Sequence, residues 1–309
     1  MLFRSTFFLP LSFFTDLGYS AGHSLYSPSS ALSAFQQISE TDIRRIQGTF
    51  AGPNQFGMWL LLSWSIWLSA LFRQKRFEAR HWLLLFNLAF IGGAIVLTFS
   101  RASWIALFVI TSVAVILQLR SYARVAVTSA LVAVLLIGVA GVSTVAPGIL
   151  ARGISNQHHI ERFYDGMLAM IRTPLGHGLG TAGPASNHLR DPCVHFAEGA
   201  DVSWAHARQD LCIFVGGAQV QPELSLKTCQ CPVLPENWYI QIGYELGILG
   251  FVLFVWLVVF LLRHTFFVLR DRLDVLPIFL AFLGVSIAAP FLHAWEDAAV
   301  AYTVWGLTG

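Results

Sequence analysis

Charge is what this chain has least of. Of its 309 residues 12% are Asp, Glu, Lys or Arg and 56% are hydrophobic, with a mean hydropathy of +0.64. A water-facing domain carries about 25% charged and 45–50% apolar residues, so an ordinary soluble domain is excluded, and a disordered chain more firmly. No sign of charge dominates either: 19 Lys and Arg face 17 Asp and Glu, a net charge of +2. Without a basic field, nucleic acid is excluded as a partner. Cysteine is scarce, with four residues confined to one segment. The sequence also lacks an Asp-x-Asp pair, a GxxxxGK[ST] loop, an HExxH helix and a GxSxG elbow. Phosphate chemistry on this chain therefore has to use arginine rather than a protein-held Mg²⁺, and neither metal nor cofactor is expected. What is abundant is aromatic: 10 Trp and 25 Phe, as in proteins that place rings at membrane interfaces.

A spanning helix needs about 20 mostly apolar residues. Asn54–Phe72, Trp82–Phe99, Ala102–Leu119, Val125–Ile149 and Trp238–Leu262 qualify, and Val275–Trp295 is a sixth expected span despite Pro277 and Pro290. Ala298–Leu307 is too short to cross alone and is expected to lie at the interface or pack on a neighbour. Met1–Tyr19, with Arg4, Pro10 and Asp16, reads either as a signal peptide or as the tail of a spanning helix. The next segment has the character of a connecting loop, which favours the helix. The expected fold is thus an all-α integral membrane protein of six or seven spans, with helices in residues 1–150, an outer segment at 151–237 and helices again in 238–309.

Orientation comes from the basic residues. Arg73–His81 holds four Lys or Arg, Leu119–Arg124 two and Arg263–Asp274 three. These loops alternate along the chain and fall on one side, which the positive-inside rule makes cytoplasmic. Ala21–Pro53 and Ala151–Asn237 then face outward.

Between Arg152 and Asn237 lie eight carboxylates, six Lys or Arg, six His and all four cysteines, Cys193, Cys212, Cys229 and Cys231. An even number of cysteines in an outward segment reads as disulfides, with three pairings open. A zinc site of Cys229 and Cys231 with His195 or His206 is the rival, though CxC lacks the usual ligand spacing. The segment opens with an amphipathic helix that places Ile160, Phe163, Met167, Leu168 and Ile171 on one face and Glu161, Arg162 and Asp165 on others, as in a helix on a membrane surface. Pro174 stops it. Gly178, Gly180 and Gly183 match GxGxxG, but a helix and a proline precede them where a dinucleotide site needs a strand. The expected role is a turn that brings backbone close to a ligand or a neighbouring helix.

Four segments in order carry a resemblance: Arg45-Ile-Gln-Gly-Thr-Phe-Ala-Gly-Pro-Asn-Gln-Phe-Gly57; Thr98-Phe-Ser-Arg-Ala-Ser-Trp104; Arg162 and Met167–Ile171 leading into Pro174-Leu-Gly-His-Gly-Leu-Gly180; and Glu236-Asn-Trp-Tyr-Ile-Gln-Ile-Gly-Tyr-Glu-Leu-Gly-Ile-Leu-Gly250. Over roughly Arg44 to Phe260 the chain resembles the bacterial O-antigen ligase and O-antigen polymerase family. The resemblance implies a glycosyltransferase C-like enzyme of the inner membrane, acting in lipopolysaccharide and other surface-polysaccharide biosynthesis. Such an enzyme transfers glycan from undecaprenyl diphosphate to a glycan, lipid or protein acceptor, without metal or nucleotide. It also implies that the chain is the C-terminal part of a longer pattern of ten or more spans.

Residue roles come with it. Arg101, Arg162 and Arg45 match the family's outward arginines and are expected to bind diphosphate, because guanidinium forks bind such oxygens bidentately and stay charged; Arg44 is an alternative to Arg45. Ligases commonly carry His-Asn before the late span, where the histidine activates the acceptor. Here Glu236-Asn237 stands instead. Glu236 is the expected general base, and Asn237 orients substrate or caps the helix. Arg172 and His177 are further expected substrate contacts, and His158, His159 and Glu245 are lower-ranking ones. The rival functions are a polytopic transporter or flippase and a non-catalytic membrane scaffold. Nearly charge-free span centres and the lack of an internal repeat speak against transport.

Overall fold

The computed structural model describes residues 45–48, 50, 52–74, 79–119, 122–130, 132–133, 140, 153–184, 186, 190–191, 193–196, 198–199, 212–220 and 229–309. Met1–Tyr19, Arg44, His206 and most of Val125–Ile149 lie outside them. The helices are α1 (Pro53–Arg73), α2 (Ala79–Leu97), α3 (Arg101–Gln118), α4 (Gly153–Arg172), α5 (Trp238–Asp271), α6 (Leu276–Ala288) and α7 (Ala298–Thr308), and three short strands are β1 (Cys193–Phe196), β2 (Cys212–Val215) and β3 (Ala218–Val220). α1, α2, α3 and α5 are each long and apolar enough to cross a membrane. The chain is a predominantly helical membrane protein.

Two compact units divide it. The first takes the described residues of 45–158 together with 254–309; the second takes 159–253. The boundary between the units runs through α5, whose first part is tied by backbone hydrogen bonds to the loop after α4.

In the first unit, α1 packs against α2, α3 and α6, and α3 against α6, around Leu61, Ile95, Ile110 and Leu280, all fully buried. Apolar side chains gain little from leaving lipid for protein, so close packing and small residues carry such contacts. Gly57 shows this. A Cβ there would come within 2.5 Å of the Ser103 hydroxyl, so only glycine lets α1 approach α3 so closely. The outer faces carry exposed Trp82, Phe86 and Phe90 on α2, as a lipid-facing surface does. Arg73 Nη2 donates to Leu273 O at 2.9 Å, which brings two of the three basic loops to one end of this unit.

Two elements differ from expectation here. The span expected at Val275–Trp295 is a 13-residue helix, Leu276–Ala288, followed by a turn. The ring of Pro290 has no N–H to continue the ladder, and the helix ends before it. At about 20 Å this helix is shorter than the hydrocarbon layer, and nine of its residues are buried. α7, the short apolar run, packs on α6: the rings of Phe282, Trp295 and Trp305 lie 4.9–5.6 Å apart. Asp297 caps it, its carboxylate accepting from Val300 N.

The second unit holds α4 from His159 onward, the loop after it, the three strands and the first half of α5. β1 pairs parallel with β2, and β2 antiparallel with β3, an element of strand structure that the all-α expectation omitted. Disulfides join Cys193 to Cys231 and Cys212 to Cys229, so the zinc reading of Cys229 and Cys231 does not hold. The pairing follows the sheet: Cys193 and Cys212 are register partners on neighbouring strands, and each takes one cysteine of the CxC segment.

Candidate active site

α4 brings His159 and Arg162 to the same place, since residues three apart share a helix face. Opposite them is Glu236, immediately before α5. One carboxylate oxygen of Glu236 pairs with Arg162 and the other with His159 Nδ1. The cluster is open to a ligand, with side chains 42% (Arg162), 38% (His159) and 24% (Glu236) exposed.

The backbone at this point is constrained. Glu236 has φ +52, in the left-handed region that a side chain disfavours. Asn237 then serves as the helix cap, its Oδ1 accepting from Ile240 N at 3.1 Å, and it is buried. Of the two roles expected for Asn237, capping is the one with a visible partner. The cap and the two side-chain pairs together hold Glu236 in its strained conformation.

Among the described residues one other non-glycine has positive φ: Phe99, at +51, in the turn between α2 and α3. Here Thr98 Oγ1 donates to Ile95 O and accepts from Ser100 N, and Ser103 Oγ donates to Ser100 Oγ. This turn presents Arg101, half-buried, as the first residue of α3. Arg45 meets the same turn from the other side. It is buried, Nε donating to Thr98 O and Nη2 to Asn54 Oδ1, both at 2.7 Å. Arg45 therefore braces the turn. Strain of this kind persists only where surrounding structure enforces it, and it tends to collect at functional sites. Both instances coincide with motifs singled out in the sequence.

The glycine-rich loop has a neighbouring helix as its partner. α5 is broken at Gly247 (φ 73, ψ −174), which frees backbone groups on both sides of the kink. Tyr244 O accepts from His177 N, Glu245 O from Gly178 N, and Ile248 N donates to Pro174 O. The approach is so close that a Cβ on Gly176 would lie 2.3 Å from Glu245 O, and one on Gly247 2.0 Å from Pro174 O. His177, exposed, stacks its ring on Tyr244 at 4.0 Å and directs Nδ1 to Tyr244 O. Glu245 is buried, its Oε1 accepting from Ala182 N. Arg172 is exposed in the last turn of α4, where its charge complements the helix dipole.

Of the expected site residues, then, the fold brings Arg162 and Glu236 together in the second unit, and Arg45 and Arg101 to one turn in the first. His159, ranked low from sequence, is a full member of the Glu236 cluster. Its signal was the spacing to Arg162 on an amphipathic helix. No group of metal-binding side chains occurs among the described residues. Comparison with family models, curated proteins and solved structures found no match to the chain.

Proposed function

We propose that this chain is a membrane glycosyltransferase of the O-antigen ligase or polymerase kind, moving glycan from undecaprenyl diphosphate to an acceptor at the outer face of the bacterial inner membrane. The observation that carries the reading is the Arg162–Glu236–His159 cluster, in which two motif residues 74 positions apart meet beside the capped start of α5.

In this reaction an acceptor hydroxyl attacks the anomeric carbon of the donor; the carbon–oxygen bond to the diphosphate breaks, and its electron pair leaves on the diphosphate. Arg162 meets that growing negative charge with a forked, permanently charged set of donors. Arg101 offers the same chemistry at the strained turn of the first unit. At rest Arg162 and His159 share the Glu236 carboxylate. When the diphosphate takes Arg162, Glu236 loses a positive neighbour, its basicity rises, and it accepts the acceptor's proton. No step needs a metal or a nucleotide.

Deleting the gene and profiling surface polysaccharide tests the reading: glycan length or attachment is expected to change, and wild-type chain but not Arg101→Ala or Arg162→Ala restores it. Unchanged polysaccharide in the deletion strain overturns it.

A further inference from the structure

The apolar face of α4 is not a core face. At about 100° per residue, Ile160, Tyr164, Leu168 and Ile171 fall within an arc of roughly 80°. All four are exposed. The residues that pack on α5 lie elsewhere on the helix: Gly166 against Ile240 and Pro235, and Met170 against Gly243. Glu161, Asp165 and Arg172 border the exposed stripe, and Arg162 points to its far side.

The stripe continues past the helix. Leu175 and Leu179, 91% and 72% exposed, extend it along the glycine loop. Leu175 sits against the Gly247 kink: a Cβ on Gly247 would touch its carbonyl carbon. Around and beyond the kink α5 displays its own exposed row, Leu246, Ile248, Leu249, Val252 and Leu253, on a helix apolar enough to span a membrane.

We propose that the face from Ile160 to Leu179 is seated in membrane lipid, at the boundary between headgroups and acyl chains. Three features commit the occupant to lipid. The backbone of Leu175 meets the kink from which the exposed apolar row of a helix long enough to span a membrane sets out. Charged residues edge it, as on helices that lie in an interface. Leu175 and Leu179 project from a loop whose own backbone is held down, so neither can fold back into a core. The kink at Gly247 then marks the membrane surface. α4 runs beside the part of α5 before the kink, Gly166 against Ile240 and Met170 against Gly243, and carries Arg162 on the side opposite its exposed stripe. This puts the Arg162–Glu236–His159 cluster in water over the lipid, facing away from it. Such seating in lipid holds whether or not the chain is a glycosyltransferase.

The test uses full-length protein. With all four cysteines in disulfides, a single introduced cysteine is uniquely labelled. Leu168→Cys, Leu175→Cys and Asp165→Cys are labelled with bimane and reconstituted in phosphatidylcholine–phosphatidylglycerol nanodiscs, with or without lipid brominated near the headgroup end of its chains. Bimane at 168 and 175 is expected to lose most of its emission to brominated lipid and little to aqueous iodide, with the reverse at 165. Quenching of 168 and 175 by iodide but not by brominated lipid overturns the proposal. So does shielding of both sites from both quenchers, which would assign the face to a second copy or a protein partner.

Discussion

Glu236 combines three properties that a merely structural acid would not need: a strained backbone, a shared arginine and a shared histidine. On the proposed function, Glu236→Gln, which keeps the size and removes the charge, is expected to lower transfer about 10²–10⁴-fold, the usual worth of a positioned base. Yield and melting temperature in detergent should stay near wild type. The comparison to make is transfer rate against Tm. Arg45→Ala should behave in the opposite way. It leaves the buried Thr98 carbonyl and the Asn54 side chain short of a charged donor, which costs about 1.5–3 kcal/mol, and a lowered Tm is the readout. Asp274 supplies a pH control. Its carboxyl is held below the usual range by a hydrogen bond from Arg272, outside the membrane spans. A depressed folded value stabilises above the unfolded value, about 3.9, and that gain is lost as pH falls through the folded one. The pair is exposed and water screens it, so acid melts of Asp274→Asn and wild type should overlay. From sequence, Arg162 and Glu236 were legible as motif residues. Their meeting was not, because a distance across 74 positions is set by packing and not by local pattern.

The decisive element is α5, a helix of 34 residues whose apolar run ends at Leu262. Charges after Leu262 mark where lipid ends; they do not end a helix, and hydrogen bonding continues to Asp271. The kink was hidden for a related reason. A glycine inside an apolar run reads as a small packing residue, and only the loop docked beside it shows why φ is positive there. Gly247→Ala tests this directly. The new methyl would overlap Pro174 O and need a disfavoured φ, so the three backbone bonds between loop and helix should break. The expected cost is about 1–3 kcal/mol, read as a lowered Tm and as faster proteolysis after Pro174. The strands were missed because three or four residues carry almost no period-two signal. The Gly216-Gly217 turn, with φ positive at both residues, was their one visible mark.

For the molecule as a whole, lipid is the solvent of the first unit, and disulfides secure the small sheet of the second. The bridges close loops separated by 38 and 17 residues, one nested in the other. Chain entropy values them at about 4 and about 3 kcal/mol taken singly, less when combined. Reduction is therefore expected to expose the strand region to protease while the apolar bundle stays helical, which limited proteolysis and far-ultraviolet circular dichroism would separate. The sequence by itself determined the solvent, the places of the long apolar runs and the segregation of cysteine into one segment, because each depends on composition or on a short repeat. Tertiary structure alone decided which cysteines pair, that the glycine loop docks on a broken helix, and that Arg162, Glu236 and His159 form one cluster. Those outcomes depend on which distant backbones can approach each other, and sterics at single positions such as Gly176 and Gly247 control that approach.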